Sequence, residues 1–166
     1  MIEVSYRLRE AGAHDIALLR EVLYEAIFWR SGGERSPRAE AMTKPELACY
    51  VEGFGRKGDF GLIAEVGREP VGAAWWRHLR AEDGGYGFVG EATPELSIAV
   101  LPGHRGDGVG TLLLEELMRE GRCQGIAKLS LSVERDNPAL RLYKRLGYRA
   151  LETEASSLTM VVDLSA

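Results

Sequence analysis

The run Val100-Leu101-Pro102-Gly103-His104-Arg105-Gly106-Asp107-Gly108-Val109-Gly110-Thr111 most constrains what this chain can become. It joins a strand-like apolar segment, Leu96 to Val100, to a strongly helical one, Leu112 to Cys123. A glycine-rich turn feeding a helix gathers uncommitted backbone N–H groups at the positive end of the helix dipole, and such a place binds phosphate without needing many basic side chains. Glycine takes positive φ and lets the backbone come close to a ligand, because no Cβ intervenes. The expectation is a phosphate-bearing ligand held largely by main chain.

Three kinds of glycine loop compete. A mononucleotide loop requires Lys and Ser or Thr after its last glycine. Gly103 and Gly108 have the right separation, but Val109 and Gly110 stand in those places. A dinucleotide fingerprint requires G-x-G-x-x-G after the first strand of its unit. Here Gly106, Gly108 and Gly110 are followed by Thr111, and several strand-like segments come earlier. The third pattern fits: Arg105 to Gly110 reads as (Gln or Arg)-x-x-Gly-x-(Gly or Ala). Downstream stand Asn137-Pro138-Ala139, then Tyr143, then Leu146-Gly147-Tyr148. With these two motifs, and with Glu95 to Val100 and Pro102 between them and the first half, the sequence resembles the GNAT superfamily of acetyl-CoA-dependent N-acetyltransferases. The resemblance is close over residues 93–149; residues 1–60 fit only in their order of elements.

Periodicity supplies that order. Residues 3–9 alternate as a strand, and Gly12 to Arg30 reads as a helix with Ile16, Leu19, Leu23 and Ile27 on one face. Ser31 to Thr43 is a polar loop, Pro45 to Phe54 a short helix, and Phe60 to Val66 with Val71 to Arg77 a hairpin. Arg80 to Gly90 reads as a flexible, glycine-rich excursion. Val109, Leu112, Leu113, Leu117 and Met118 predict an amphipathic helix that stops at Gly125. Lys128 to Val133 is a strand, Asn137 caps a helix that ends at Gly147, and Tyr148 to Glu154 and Leu158 to Leu164 close the fold. The order β-α-α-β-β-β-α-β-α-β-β predicts one α/β domain over residues 1–166 with a mixed sheet. The resemblance implies the GNAT version, a mixed, mostly antiparallel sheet of about seven strands flanked by about four helices. In it the fourth and fifth strands splay apart to admit the pantetheine arm of the cofactor.

Composition narrows the function classes. The 166 residues are 45% hydrophobic with a formal net charge of −4, which lacks the basic footprint of a nucleic-acid binder. No apolar run is long enough for a membrane helix, and Met1-Ile2-Glu3-Val4 does not begin a signal peptide. Cys49 and Cys123 form neither a metal spacing nor a redox motif, so reduced thiols in a cytoplasmic protein and no metal are expected.

The resemblance then assigns roles. Arg105, Gly106, Asp107, Gly108, Val109, Gly110 and Thr111 would give backbone N–H groups to the pyrophosphate of acetyl-CoA, with the Asp107 carboxylate turned away from it. Main-chain groups of Ile98, Ala99 and Val100 would pair with the pantetheine amides like an added strand. Asn137 would cap its helix and touch the cofactor. Tyr143 lies on an apolar helix face with Ala139, Leu142 and Leu146, where a core residue is the ordinary reading. The family places a tyrosine here beside the sulfur, as acid to the departing thiolate. Glu95, opening its strand, is the candidate general base toward an alkylammonium, or else a solvated strand-edge acid. The implied activity is direct acetyl transfer to a primary amine of a small molecule or peptide; a catalytically silent, acyl-CoA-binding regulatory module is the alternative. Acceptor contacts would come from among Tyr24, Glu25, Phe28, Trp29, Trp75, Trp76, His78, Tyr86 and Phe88, with at most one of the adjacent tryptophans on the cleft side. Arg141, Lys144 and Arg145 are either contacts for the cofactor's 3′-phosphate or a solvated helix face. A homodimer is common among such relatives.

Overall fold

The computed structural model describes residues 4–29, 40, 44–151 and 156–165. Its strands are β1 (Arg7–Glu10), β2 (Phe60–Val66), β3 (Glu69–Arg77), β4 (Glu95–Val100), β5 (Lys128–Glu134), β6 (Arg149–Ala150) and β7 (Ser157–Asp163). Its helices are α1 (Ile16–Ile27), α2 (Pro45–Ala48), α3 (Val109–Cys123) and α4 (Ala139–Arg145). The order of elements is the one the sequence predicts. Because α2 is a single turn, three longer helices flank the sheet among the described residues, where about four helices were expected. Much of the expected loop at 31–43, the end of the first helix at Arg30, and residues 152–155 of the first closing strand lie outside the described residues.

The sheet runs β1-β2-β3-β4-β5-β7-β6. Every neighbouring pair is antiparallel except β4 and β5. β3 and β4 pair along their whole shared length, from Gly72 opposite Val100 to Arg77 opposite Glu95. β4 and β5 share one register pair, Glu95 with Ser130. Past that point the two parallel strands part.

Strand alternation sorts the core into two layers. Trp76 packs with Leu96, Leu113, Leu117 and Leu129 on the side of α3 and α4. Trp75 packs with Leu19, Val22, Tyr50 and Phe54 on the side of α1. Both indoles are at most 1% exposed. α3 buries Leu113, Leu114, Leu117 and Met118. Leu112, expected on its apolar face, is 39% exposed, and Leu114 takes the inner place. The cause lies along the row Gly110, Leu114, Met118 and Gly121, which shares one helix face. A Cβ on Gly110 would sit 3.3 Å from Leu142, and one on Gly121 would sit 2.7 Å from Leu164. Two missing side chains let this row approach its neighbours closely and turn Leu112 outward.

The segment after α2 is anchored by β3. The Arg77 guanidinium, 1% exposed, pairs with Asp59 at 3.1 Å and donates to the carbonyls of Cys49 and Glu52. The Trp75 indole N–H donates to the Tyr50 carbonyl at 2.9 Å. Residues 80–90 are not the loose excursion their glycines suggested. A short 3-10 turn, Ala81–Asp83, is closed by the Arg80 N–H donating to Asp83 at 2.7 Å. Gly87 then lies so close to β5 that a Cβ would fall 2.6 Å from the Leu131 carbonyl carbon. Glycine serves close approach here, not flexibility.

The adjacent leucines of α3 give a direct test of this packing. Leu114→Ala should lower unfolding free energy by about 2–5 kcal/mol, whereas Leu112→Ala should change it by less than about 0.5 kcal/mol. Urea denaturation of the two variants reads the difference.

Candidate active site

A cleft of about 1010 Å³ opens where β4 leaves β5. Its walls include residues 95–100 of β4, residues 131–134 of β5, the C-terminal end of α1 and the loop before α3. Polar main-chain groups of a buried strand need partners. Beyond Glu95, β4 has no register partner on the β5 side, so Ile98, Ala99 and Val100 border the cleft with a strand edge.

The geometry of the loop before α3 suits a ligand of negative charge. Gly103, Gly106 and Gly108 take φ of 95°, 86° and 85°. A Cβ on any of them would meet nothing within 4 Å, so space stands open above the loop. Gly108 caps α3 without any side-chain hydrogen bond, which leaves the first N–H groups of a fifteen-residue helix to other acceptors. Arg105, Gly106, Gly108, Val109, Gly110 and Thr111 all border the cleft. Asp107 does not; its carboxylate is exposed and accepts from the Tyr6 hydroxyl at 3.1 Å. The Arg105 side chain braces the loop, donating to the Val100 carbonyl at 2.9 Å and to Glu25 at 3.2 Å. Thr111 accepts from Arg145 at 2.9 Å, which brings Arg145 to the cleft, whereas Arg141 and Lys144 lie on the exposed face of α4. These donors and this space fit a phosphorylated ligand.

The two candidate proton-transfer groups lie on different walls, Glu95 at the start of β4 and Tyr143 on α4. Tyr143 borders the cleft from α4 and is 7% exposed, with its ring edge-on to Tyr148 at 5.9 Å. Burial pushes its hydroxyl well above the usual phenol value, so it stays protonated and available as a donor. The Asn137 carboxamide oxygen accepts from the Ala139 N–H at 2.9 Å, the capping bond expected of it, and Asn137 also borders the cleft.

Glu95 is not a solvated strand-edge acid. It is 3% exposed. Its Oε2 accepts from the Tyr50 hydroxyl at 2.5 Å and from the Gly87 N–H at 3.1 Å. Its Oε1 is buried with no hydrogen-bond partner. Burial raises its pKa above the usual carboxylate range, and the hydrogen bonds from Tyr50 and Gly87 oppose part of that rise. Tyr50 was not visible from sequence. It lies outside both motifs, 45 residues from Glu95, in a segment whose pattern announces only a short helix.

Of the aromatic candidates for acceptor contacts, Phe28, Trp29 and Tyr86 border the cleft, as does Glu25. Trp75 and Trp76 are core, and Tyr24 packs against Phe28 at 4.7 Å with Leu47 beside it. Phe88 packs on the α1-side core, and His78 sits near the Glu91 carbonyl. His104 borders the cleft with its ring edge-on to Tyr6 at 6.1 Å. Cys49 is half-buried with its thiol pushed up to about 11, by burial first and by the charge of Glu95 second, which makes it a poor nucleophile. Among the described residues, no group of three or more His, Cys, Asp or Glu could hold a metal ion, and no helix is long and apolar enough to cross a membrane.

The family model for the acetyltransferase (GNAT) family matches residues 23–148. Among solved structures, the PaiA N-acetyltransferase of Thermoplasma acidophilum in complex with coenzyme A is similar at 20% identity, with a TM-score of 0.71 over 96% of this chain and 99% of that one. YncA of Salmonella typhimurium with its cofactor acetyl-CoA is similar at 22% identity, with a TM-score of 0.66 over 98% and 95%. The ribosomal-protein-S18-alanine N-acetyltransferase of Escherichia coli is similar at 17% identity, with a TM-score of 0.66 over 98% and 96%. At these identities the likeness is one of fold. Among curated proteins nothing matches.

The environment of Glu95 makes a signed prediction. An acid whose pKa is higher folded than unfolded supports the fold below its unfolded pKa, and that support is lost as pH rises through the folded value. Wild type should therefore lose stability relative to Glu95→Gln as pH rises from the ordinary glutamate range through the higher folded value. Chemical denaturation of both proteins at each pH measures the difference.

Proposed function

The chain belongs to the acetyltransferase (GNAT) family, and from that membership we propose that it is an N-acetyltransferase moving acetyl from acetyl-CoA directly to a primary amine of a small molecule or peptide. The observation that carries this reading is the parting of β4 from β5 beside a helix start with no side-chain cap. One opening thus offers a strand edge for an amide-bearing arm and a phosphate cradle at its end. We read residues 1–166 as one domain that does this work in the cytoplasm.

When bound, acetyl-CoA supplies an electrophilic thioester carbonyl and a thiolate leaving group. Main-chain N–H groups from Arg105 to Thr111 hold the pyrophosphate, with Asn137 contacting the cofactor from the start of α4. The strand edge at Ile98, Ala99 and Val100 aligns the pantetheine arm, and an N–H of this strand polarises the reacting carbonyl. The acceptor enters as an ammonium and sheds two protons on becoming an amide. Glu95 takes the first, without which the nitrogen has no lone pair to attack with. Tyr143 passes the equivalent of the second to the departing sulfur. A thiolate leaves fairly well unaided, so Tyr143 contributes on the order of 10²-fold.

Thiol release from acetyl-CoA with a panel of primary amines tests the reading. Thermal stabilisation by coenzyme A without thiol release on any amine would assign the silent binding module instead. Gly108→Glu should weaken coenzyme A binding by roughly 100-fold or more, since like-charge juxtaposition costs several kcal/mol, as isothermal titration calorimetry would read. Tyr143→Phe should lower turnover by roughly 10²-fold and leave that affinity unchanged.

A further inference from the structure

Beyond the roles given above, the surroundings of Glu95 contain a device that the motifs do not announce. The Tyr50 hydroxyl donates to Glu95 Oε2 and accepts from the Tyr86 N–H at 2.8 Å. Tyr50 is itself held at its carbonyl by the Trp75 indole, and its chain neighbours Cys49 and Glu52 are held by Arg77. Gly87 gives Oε2 its second hydrogen bond. Oε1 has none, and a Cβ on Gly85 would lie 2.5 Å from it. Tyr50, Tyr86 and Glu95 all border the cleft.

We propose that Tyr50 is a positioning residue of the acetyl transfer, fixing the Glu95 carboxylate by one oxygen and leaving the other, which has no hydrogen-bond partner, to take the proton of the acceptor ammonium. This rests on Glu95 being the base. With Oε2 carrying both hydrogen bonds, the lone pairs without a partner are those of Oε1, which lies buried beside Gly85, so the proton reaches it through water that enters with the acceptor and not by direct contact. The proton leaves nitrogen, its bonding pair stays there for attack on the thioester, and Oε1–H forms.

Charge around the pair supports this. Arg77 stands opposite Glu95 on β3, but its guanidinium is committed to Asp59 and to two carbonyls. Ser130, opposite on β5, is uncharged, and its buried hydroxyl has no partner. Cys49 from the α2 side and Asp83 from the β3–β4 connection bring no positive charge, and Glu25 on α1 is paired with Arg105. Among the described residues no cation forms an ion pair with Glu95, so the substrate's own ammonium is the counter-charge. Tyr50 and Gly87 supply the hydrogen bonds that favour the ionised carboxylate, against the burial that raises its pKa.

Tyr50→Phe removes one hydrogen bond to the ionised form with little change of volume, so the Glu95 carboxyl should titrate at higher pH. Carbon-13 NMR of carboxyl-labelled glutamate, assigned by Glu95→Gln, reads this without substrate. The midpoint should rise by about one pH unit, while coenzyme A still raises the melting temperature of Tyr50→Phe as it does wild type. With an amine that supports thiol release, the acidic limb of kcat/KM should move by the same amount. An unmoved midpoint, or a uniform loss of rate with an unmoved limb, overturns the role of Tyr50. Full turnover and an unchanged limb in Glu95→Gln would instead overturn Glu95 as the base, and the assignment of Tyr50 with it.

Discussion

Everything in this molecule that bears on chemistry follows from a single broken ladder. Two parallel strands in the middle of a sheet ordinarily pair along their length, because buried N–H and C=O groups left alone are costly. β4 satisfies its β3 side completely and its β5 side at one residue. The opening that results is bounded on one wall by a strand edge, at one end by the start of α3, and across it by Tyr143. The first half of the chain does not create this opening; it covers and furnishes it. α1 brings Glu25, the residues just after it bring Phe28 and Trp29, and the segment after α2 brings Tyr50.

How much of this was legible in the sequence depended on the range of the signal. The glycines before α3 and the cap at Asn137 are local devices, dictated by φ and by hydrogen bonds one or two residues away, and they stand where the sequence put them. The two tryptophans of β3 divide between the core layers as strand alternation requires. Leu112 was misplaced because periodicity fixes a helix face only to within one residue, and the final roll of α3 is set by Gly110 and Gly121 against elements far along the chain. Residues 4–6, expected in the first strand, precede its start at Arg7, residue 3 lies outside the described residues, and the first helix begins with a 3-10 turn at Ala13–Asp15. Such shifts are usual at element ends.

The larger misses were long-range. Glycines at 84, 85 and 87 read as looseness in composition alone, and only the proximity of β5 and Glu95 reveals that two of them are spacers. Tyr50 carries no motif, and its importance exists only because Arg77 and Trp75 hold its segment against β3. A buried guanidinium that satisfies a carboxylate and two carbonyls is hard to read from a string, yet it determines where the phenol lies.

The connection between β3 and β4 places Tyr86 between two residues that have no side chain to vary. Gly85 and Gly87 are confined by Glu95 and by the backbone of β5, whereas Tyr86 is 58% exposed and borders the cleft. The bond that Tyr86 gives the Tyr50 hydroxyl comes from its main-chain N–H, which any residue but proline retains, so a substitution at 86 alters the lining and keeps that bond. Over evolutionary time, such an arrangement lets the lining of the cleft drift at a single codon while the carboxylate and its hydrogen bonds stay put.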